Sequence, residues 1–150
     1  MRLETQFSIF MVNKPGMLAK VLNEFAKAKV NIVALTVMDS VEHGVLRLVN
    51  GNTEKVRKIL DRLNMPYNET EVLCVNLNNK AGALALITQK LAEARINLSY
   101  AYCTAGARGG RTTGVLKVAD VKKAMKILRG HVDKKGKSKP ALRRSPASRK

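Results

Sequence analysis

The stretch NKPGMLAKVLNEFAKAKVNI, residues 13–32, recurs as NKAGALALITQKLAEARINL at residues 79–98. Eight of the twenty aligned positions are identical, and several others exchange one aliphatic side chain for another. The similarity resumes further along, since GVLRLV from Gly44 resembles GVLKVA from Gly114 and VRKIL from Val56 resembles AMKIL from Ala124. The sequence therefore predicts two units with the same order of strands and helices.

Each copy has the residue pattern of a βαββαβ unit. An apolar run, QFSIFMV in the first copy and VLCVNL in the second, predicts the opening strand. The apolar residues that follow recur at three- and four-residue steps, which is typical of an amphipathic helix. A strand hairpin is predicted around Gly44, and a second helix follows the capping residue Asn52, or Asp120 in the second copy. YNETEV, after Pro66, supplies a final strand, whereas no comparable strand is predicted after Gly130.

The predicted first strand is apolar on both faces. Phe7, Ile9 and Met11 alternate with Phe10 and Val12, although the two helices of a unit can cover only one face of its sheet. An uncovered apolar face is a site of association. We therefore expect the sheets of the two copies to pack on each other, within the chain, between chains, or both.

Charge is distributed unevenly along the chain, whose formal net charge is +17 over 150 residues. Residues 132–150 contain eight Lys or Arg and one acid, Asp133. A segment of this composition, broken by Gly, Ser and Pro, cannot bury enough apolar surface to fold. The sequence thus predicts a first unit at 1–70, a second at 71–131, and a disordered basic tail at 132–150 that is attracted to polyanions.

The repeated units resemble the ACT domain family. The resemblance rests on the duplicated βαββαβ order, on NKPGML or NKAGAL between strand and helix, and on VNI or INL at the next strand. It implies an α+β fold of two ferredoxin-like units with antiparallel sheets. It also implies a regulatory protein rather than an enzyme. In this family a free amino acid binds at the loop between the first strand and first helix, and its binding changes the activity of a partner enzyme.

The residues of that loop suit a small zwitterion. Gly16 and Gly82 allow the backbone to approach a ligand without a Cβ in the way, and the first N–H groups of the following helix favour an anion such as a carboxylate. Asparagine amides nearby could hold either charged group, although Asn is also common in turns and caps. The predicted ligand-binding residues are Asn13, Lys14, Pro15, Gly16, Met17, Leu18, Asn31 and Ile32 in the first copy, and Asn79, Gly82, Ala83, Leu84, Asn97 and Leu98 in the second.

No catalytic site, metal site or cofactor site is predicted. The chain has two histidines and two cysteines, with no CxxC motif and no nucleophile, base and orienting group at useful spacing. Cys74 and Cys103 are expected to be buried small apolar residues, and His43 is expected in an exposed turn. Tyr100 and Tyr102 share a strand face and are predicted to pack between the sheets rather than line a pocket.

RNA binding is the main alternative, because the RNA-recognition motif has the same βαββαβ order and a basic chain is attracted to phosphate. However, VLRLV and VLKVA lack the aromatic residues that stack on bases in that motif. No secretory signal or apolar run of membrane-spanning length is recognised. We therefore expect a cytoplasmic homodimer, without membrane contact, whose partners are a small amino acid and a regulated metabolic enzyme.

Overall fold

The computed structural model describes residues 1–39, 43–104 and 111–132. The predicted basic tail therefore lies outside the described residues, except for its first residue. Strands and helices alternate along the described chain as follows: β1 (Arg2–Val12), α1 (Met17–Lys27), β2 (Ile32–Asp39), β3 (His43–Asn50), α2 (Thr53–Arg62), β4 (Tyr67–Asn78), α3 (Ala83–Glu93), β5 (Leu98–Cys103), β6 (Arg111–Val118) and α4 (Val121–Val132).

The strands of both units join into one antiparallel sheet with the order β2-β3-β1-β4-β6-β5. In the first unit β2, β3, β1 and the first part of β4 have the strand order of a ferredoxin-like sheet. The second unit repeats this order with β5, β6 and the second part of β4. The position next to β4 that the final strand of a ferredoxin-like unit would occupy is taken by the start of β1, where Leu3 lies opposite Leu73.

Strand β4 belongs to both units. Its first part pairs with β1 and its second part pairs with β6. The sequence predicts two separate strands here, YNETEV and VLCVNL, but the structure has one strand of 12 residues. No Gly, Pro or turn-forming pair separates Thr70 from Val72, so nothing in the local sequence interrupts the extended backbone. The predicted boundary between residues 70 and 71 lies inside this strand.

All four helices pack against the same face of the sheet. Helices α1 and α2 cover Phe7 and Ile9 of β1 in one apolar cluster, and α3 and α4 cover Leu73 of β4 in a second cluster. Residues paired across antiparallel strands share a face, and Leu3, opposite Leu73, shares a face with Phe7. Val21 of α1 is completely buried, which stabilises the fold by about 1.5–3 kcal/mol for such a side chain.

The opposite, helix-free face is buried at its centre by the chain itself. A third apolar cluster lies there, and Tyr102 packs against it; its buried members are Ala34, Val49, Val72, Cys74 and Val115. These residues come from both units. The expectation that the sheets of the two copies pack on each other is met only in part. The helix-free faces of both units share this cluster, but the strands join edge to edge in one sheet, and Phe10 and Val12 remain exposed.

A hydrogen-bonded bridge crosses the helix-free face. Gln6 of β1 is completely buried; its Nε2 donates to the Tyr100 hydroxyl at 2.7 Å, and its Oε1 accepts from the Tyr102 hydroxyl at 3.0 Å. Strands β4 and β6 lie between β1 and β5 in the sheet, so the sheet must curl for these side chains to meet. The prediction that Tyr100 and Tyr102 pack between the two units is confirmed.

The two cysteines differ in burial. Cys74 is buried, as expected, but the expectation that Cys103 is buried is wrong, because its side chain lies on the exposed edge strand β5. His43 is exposed as predicted and is the first residue of β3. The predicted helix caps are confirmed: Asn52 Oδ1 accepts from a backbone N–H of α2 at 3.1 Å, and Asp120 Oδ1 accepts from one of α4 at 2.9 Å.

Candidate functional site

The β1–α1 and β4–α3 loops have the same backbone conformation. In the first, the N–H of Lys14 donates to the carbonyl of the last strand residue at 2.9 Å; in the second, the N–H of Lys80 does so at 2.8 Å. Each helix then begins after a glycine in the left-handed region, Gly16 with φ +87° and Gly82 with φ +83°. The duplicated sequence therefore produces a duplicated turn.

These loops require glycine because its φ angle is positive, not because neighbouring atoms leave no room for a side chain. A left-handed φ costs other L-residues roughly 1–2 kcal/mol. A Cβ added to Gly16 or Gly82 would meet no atom within 4 Å. The space beside each glycine is therefore open, as a ligand site at the helix terminus needs.

The N-termini of α1 and α3 lack the cap that α2 has. Neither is capped by a side chain, and neither has an acidic residue in its first turn. The N-cap residues Gly16 and Gly82 have no side chain that could accept from the N–H groups of the first turn. Free N–H groups and the positive end of the helix dipole both favour an anion.

A surface pocket opens at each of these loops. The first has a volume of about 210 Å³ and is lined by Met11, Val12, Asn13, Lys14, Met17, Leu18, Val37, Met38 and Gly44. The second has a volume of about 330 Å³ and is lined by Asn76, Leu77, Asn78, Lys80, Ala81, Gly82, Ala83, Leu86 and Ile87. The second volume lies at the lower end of the range typical of small-molecule pockets, and the first is smaller than that range. None of the lining residues is acidic and each set includes a lysine, so both pockets favour a carboxylate.

The two pockets lie at opposite ends of the sheet. Each is at the end of the strand that precedes it, β1 or β4, and these strands are antiparallel neighbours. One small ligand cannot contact both pockets. Both walls are mainly apolar, with Met11, Val37 and Met38 in the first pocket and Leu77, Leu86 and Ile87 in the second. The second pocket has two asparagine side chains besides, and the first has one.

The structure brings together only part of the predicted set of ligand-binding residues. Asn13, Lys14, Met17 and Leu18 line the first pocket, and Gly82 and Ala83 line the second. The other predicted residues of these two segments do not line the pockets; they are Pro15, Gly16, Asn79 and Leu84.

Asn31, Ile32, Asn97 and Leu98 lie away from both loops. Asn31 lines a separate cavity of about 260 Å³ at the far end of β2, about 20 Å from the first pocket at ~3.3 Å of rise per strand residue. Ile32 packs against the first core cluster and Leu98 against the second. The carbonyl of Asn97 accepts a hydrogen bond from the N–H of Ala119 at 3.0 Å, which joins the start of β5 to the end of β6.

Sequence reasoning missed several pocket walls. Val37, Met38 and Gly44 come from the β2–β3 hairpin, and Leu86 comes from the first turn of α3 after the predicted segment. The signal available in the sequence was the parallel course of the first two strands of the unit, which places the end of β2 at the same end of the sheet as the β1–α1 loop. Val37 and Met38 are each 46% exposed, as pocket walls can be.

Residues 1–39, 43–104 and 111–132 contain no group of three or more His, Cys, Asp or Glu side chains that could hold a metal ion. Within the same ranges no helix is both long and apolar enough to cross a membrane.

Comparison with known proteins gives a family and several structural neighbours. A family model described as an ACT domain pair matches residues 2–133. A solved protein from Bacteroides thetaiotaomicron is similar, with a TM-score of 0.78 and 27% identity over 85% of this chain and 88% of that one. No curated protein matched the chain.

Two proteins with more distant sequences share the fold. The ligand-free regulatory subunit of aspartate kinase from Thermus thermophilus has a TM-score of 0.61 and 11% identity over 87% of this chain and 97% of that one. Aspartokinase III of E. coli, solved with aspartate and ADP, has a TM-score of 0.56 and 14% identity over 86% of this chain and 32% of that one.

Proposed function

The chain belongs to the family of ACT domain pairs, and from this premise we propose that it is a non-catalytic sensor of a small free amino acid. The ligand binds at the β1–α1 and β4–α3 loops, and its binding modulates an enzyme of amino-acid metabolism. The observation that carries the proposal is the duplicated loop geometry, in which a left-handed glycine precedes an uncapped helix beside an open pocket.

The α-carboxylate of the ligand lies at the helix N-terminus. In the first loop the N–H groups of Leu18 and Ala19 donate to it, and Lys14 supplies a positive charge nearby. The side-chain oxygen of Asn13, which also lines this pocket, accepts from the α-ammonium group. Backbone donors and an amide acceptor together select a zwitterion over a simple anion.

The ligand side chain extends into the pocket wall. In the first loop this wall is formed by Met11, Val37 and Met38, which favours an aliphatic amino acid such as leucine or valine. The second pocket also offers aliphatic side chains, Leu77, Leu86 and Ile87, so it favours the same class of amino acid. Because the pockets are at opposite ends of the sheet, we expect two independent binding steps.

The proposal includes a cytoplasmic homodimer. Phe10, Val12 and Met38 form an exposed apolar group on the helix-free face beyond the part that the second unit covers, with 36%, 47% and 46% of their surface accessible. Contact with a second subunit would bury this group, whereas a monomer leaves it in water. Besides the amino acid and the second subunit, the proposed partners include the regulated enzyme. Identifying the amino acid that binds will indicate which enzyme is regulated.

A thermal-melt screen against the twenty amino acids tests the proposal. An amino acid present at one hundred times its Kd stabilises the folded protein by about 2.7 kcal/mol, which raises the Tm by several degrees for a domain of this size. We expect an aliphatic amino acid to give the largest shift. If no amino acid raises the Tm while RNA does, the RNA-binding alternative replaces the proposal.

Variants of the loop glycines locate the site. Gly16→Val and Gly82→Val each force a β-branched residue into a left-handed conformation at one loop, whereas Gly51→Ala adds a Cβ in open space outside both loops. We expect the ligand-induced shift to be lost in the Gly16→Val/Gly82→Val double variant and kept in Gly51→Ala, with circular dichroism confirming that both remain folded. A shift retained in the folded double variant would exclude these loops as the site.

A further inference from the structure

The second helix of each unit carries a different pattern of charge on its outer face. In α2 the exposed residues Glu54, Lys58 and Asp61 alternate in sign. The equivalent positions of α4, given by the alignment of VRKIL with AMKIL, are all basic: Lys122, Lys126 and Arg129. We propose that these three residues, the α4 stripe, bind the phosphodiester backbone of a nucleic-acid duplex.

The α4 stripe is a continuous exposed surface. Its residues follow each other at steps of four and three, so they lie on one side of the helix, and they span about 10 Å along its axis at ~1.5 Å per residue. Lys122, Lys126 and Arg129 are all exposed. The helix contains no Asp or Glu, so no carboxylate within it separates the three charges.

Several basic residues of the other helices have carboxylate partners, although no ion pair among the described residues involves Lys20, Lys55 or Lys58. Ion pairs among the described residues include Lys27 and Arg62 with Glu24, and Arg57 with Glu69. No ion pair between described residues involves Lys122, Lys126 or Arg129 of the α4 stripe. Like charges at these spacings destabilise a helix, so helix stability does not account for the pattern. A polyanionic partner would offset the repulsion between these three charges.

The chemistry of α4 favours nucleic acid over a membrane surface. Its apolar residues Ala124 and Leu128 are completely buried in the second core cluster, so the helix cannot insert an apolar face into a bilayer. It also has no Phe, Tyr or Trp that could stack on an unpaired base. What remains is contact with phosphates, which is independent of base sequence and suits a duplex.

The charge of the stripe continues into the rest of the sequence. Residues 133–150 contain eight Lys or Arg and one acid, and they follow α4 directly. The composition of this segment adds to the net positive charge of the chain, and the proposed binding surface consists of the three residues of the α4 stripe alone.

Fluorescence anisotropy with a labelled 20-base-pair RNA duplex, and with a DNA duplex of the same length, tests the proposal. The variant Lys122→Glu/Arg129→Asp gives α4 the charges found on α2. The control Lys20→Glu/Lys58→Glu removes the same number of charges from exposed positions of α1 and α2. Because each neutralised phosphate contributes about −0.9 to the slope of log K against log salt, we expect the α4 variant to lower the slope by about two and the control to leave it unchanged.

If both the RNA and the DNA duplex bind, and the α4 variant weakens both, the stripe recognises the phosphodiester backbone that the two duplexes share. Tighter binding of one duplex identifies that nucleic acid as the natural partner. Equal losses in the two double variants would overturn the proposal, since net charge alone would then explain binding. Unchanged binding in both would also overturn it, because the basic segment would be sufficient. Lys126→Gln, which removes only one charge, checks that the result does not depend on misfolding; we expect its slope to fall by about one.

Discussion

Removing the hydroxyl of Tyr102 tests whether the two units are closed against each other on the helix-free face. That hydroxyl donates to Oε1 of Gln6 at 3.0 Å, and Gln6 has 0% of its surface exposed. Burial raises the pKa of Tyr102 above its ordinary value of 10.0, so the hydroxyl remains a donor at neutral pH. Tyr102→Phe keeps the ring but leaves the buried amide oxygen without this donor.

The expected destabilisation follows from that loss. A buried acceptor left without its partner costs about 1–3 kcal/mol. Unfolding entropy of roughly 2.1 cal/mol/K per residue makes 1 kcal/mol equivalent to a fall of about 4 °C in Tm for a folded region of this size. We therefore expect Tyr102→Phe to lower the Tm by about 4–12 °C in a calorimetric or circular-dichroism melt at pH 7.

Tyr67→Phe is the matched control. The Tyr67 hydroxyl donates to an exposed carboxylate, Asp61, at 3.2 Å, where water can replace it, so the change should stay within about 0.5 kcal/mol. Combining Tyr102→Phe with Gln6→Leu should cost less than the sum of the single changes, because no amide oxygen is left unpaired. If Tyr102→Phe melts at the same temperature as Tyr67→Phe, the bridge does not stabilise the closed face.

Two further predictions concern titratable side chains. Cys103 is exposed, whereas Cys74 is buried and its burial raises its pKa to about 11. A thiol reagent should therefore label only Cys103 in the native protein. Equal labelling of the two cysteines, measured by mass spectrometry, would contradict the burial of Cys74. Hydrogen bonds from Arg57 at 2.6 and 2.7 Å lower the pKa of Glu69 below its ordinary value of 4.5. The stability that this ion pair contributes is therefore fully present above pH 4.5. It is lost as the pH falls through the lowered pKa of Glu69. Glu69→Gln should reduce the fall in stability on acidification by a small, salt-sensitive amount, and an unchanged pH profile in urea titrations would count against the pair.

The local pattern of the sequence was enough to predict the repeated units. These patterns are local, because each involves residues only a few positions apart. They include the glycine and asparagine turns, the apolar periodicity and the capping residues Asn52 and Asp120. Each can therefore be recognised in one copy and checked in the other. The same locality explains why Gly16 and Gly82 could be placed at helix starts before the structure was known.

Features that depend on long-range pairing could not be predicted in this way. The joining of the two units depends on β1 lying beside β4, which no local pattern specifies. Gln6 interrupts the apolar pattern of its strand and would be expected to face water, but tyrosines more than ninety residues away bury it. Val37 and Met38 became pocket walls only through the sheet order, and Cys103, which was expected to be buried, is exposed on the edge strand β5.

Amino-acid binding at the duplicated loops is tested most directly by NMR titration of the ¹⁵N-labelled chain with the amino acid that gives the largest thermal shift. We predict saturable changes in the amide signals of Leu18 and Ala19 at the first loop, of Leu84 and Ala85 at the second, or of both pairs. Saturable changes confined to other parts of the chain, such as the cavity around Asn31, would contradict the assignment of the site to these helix N-termini.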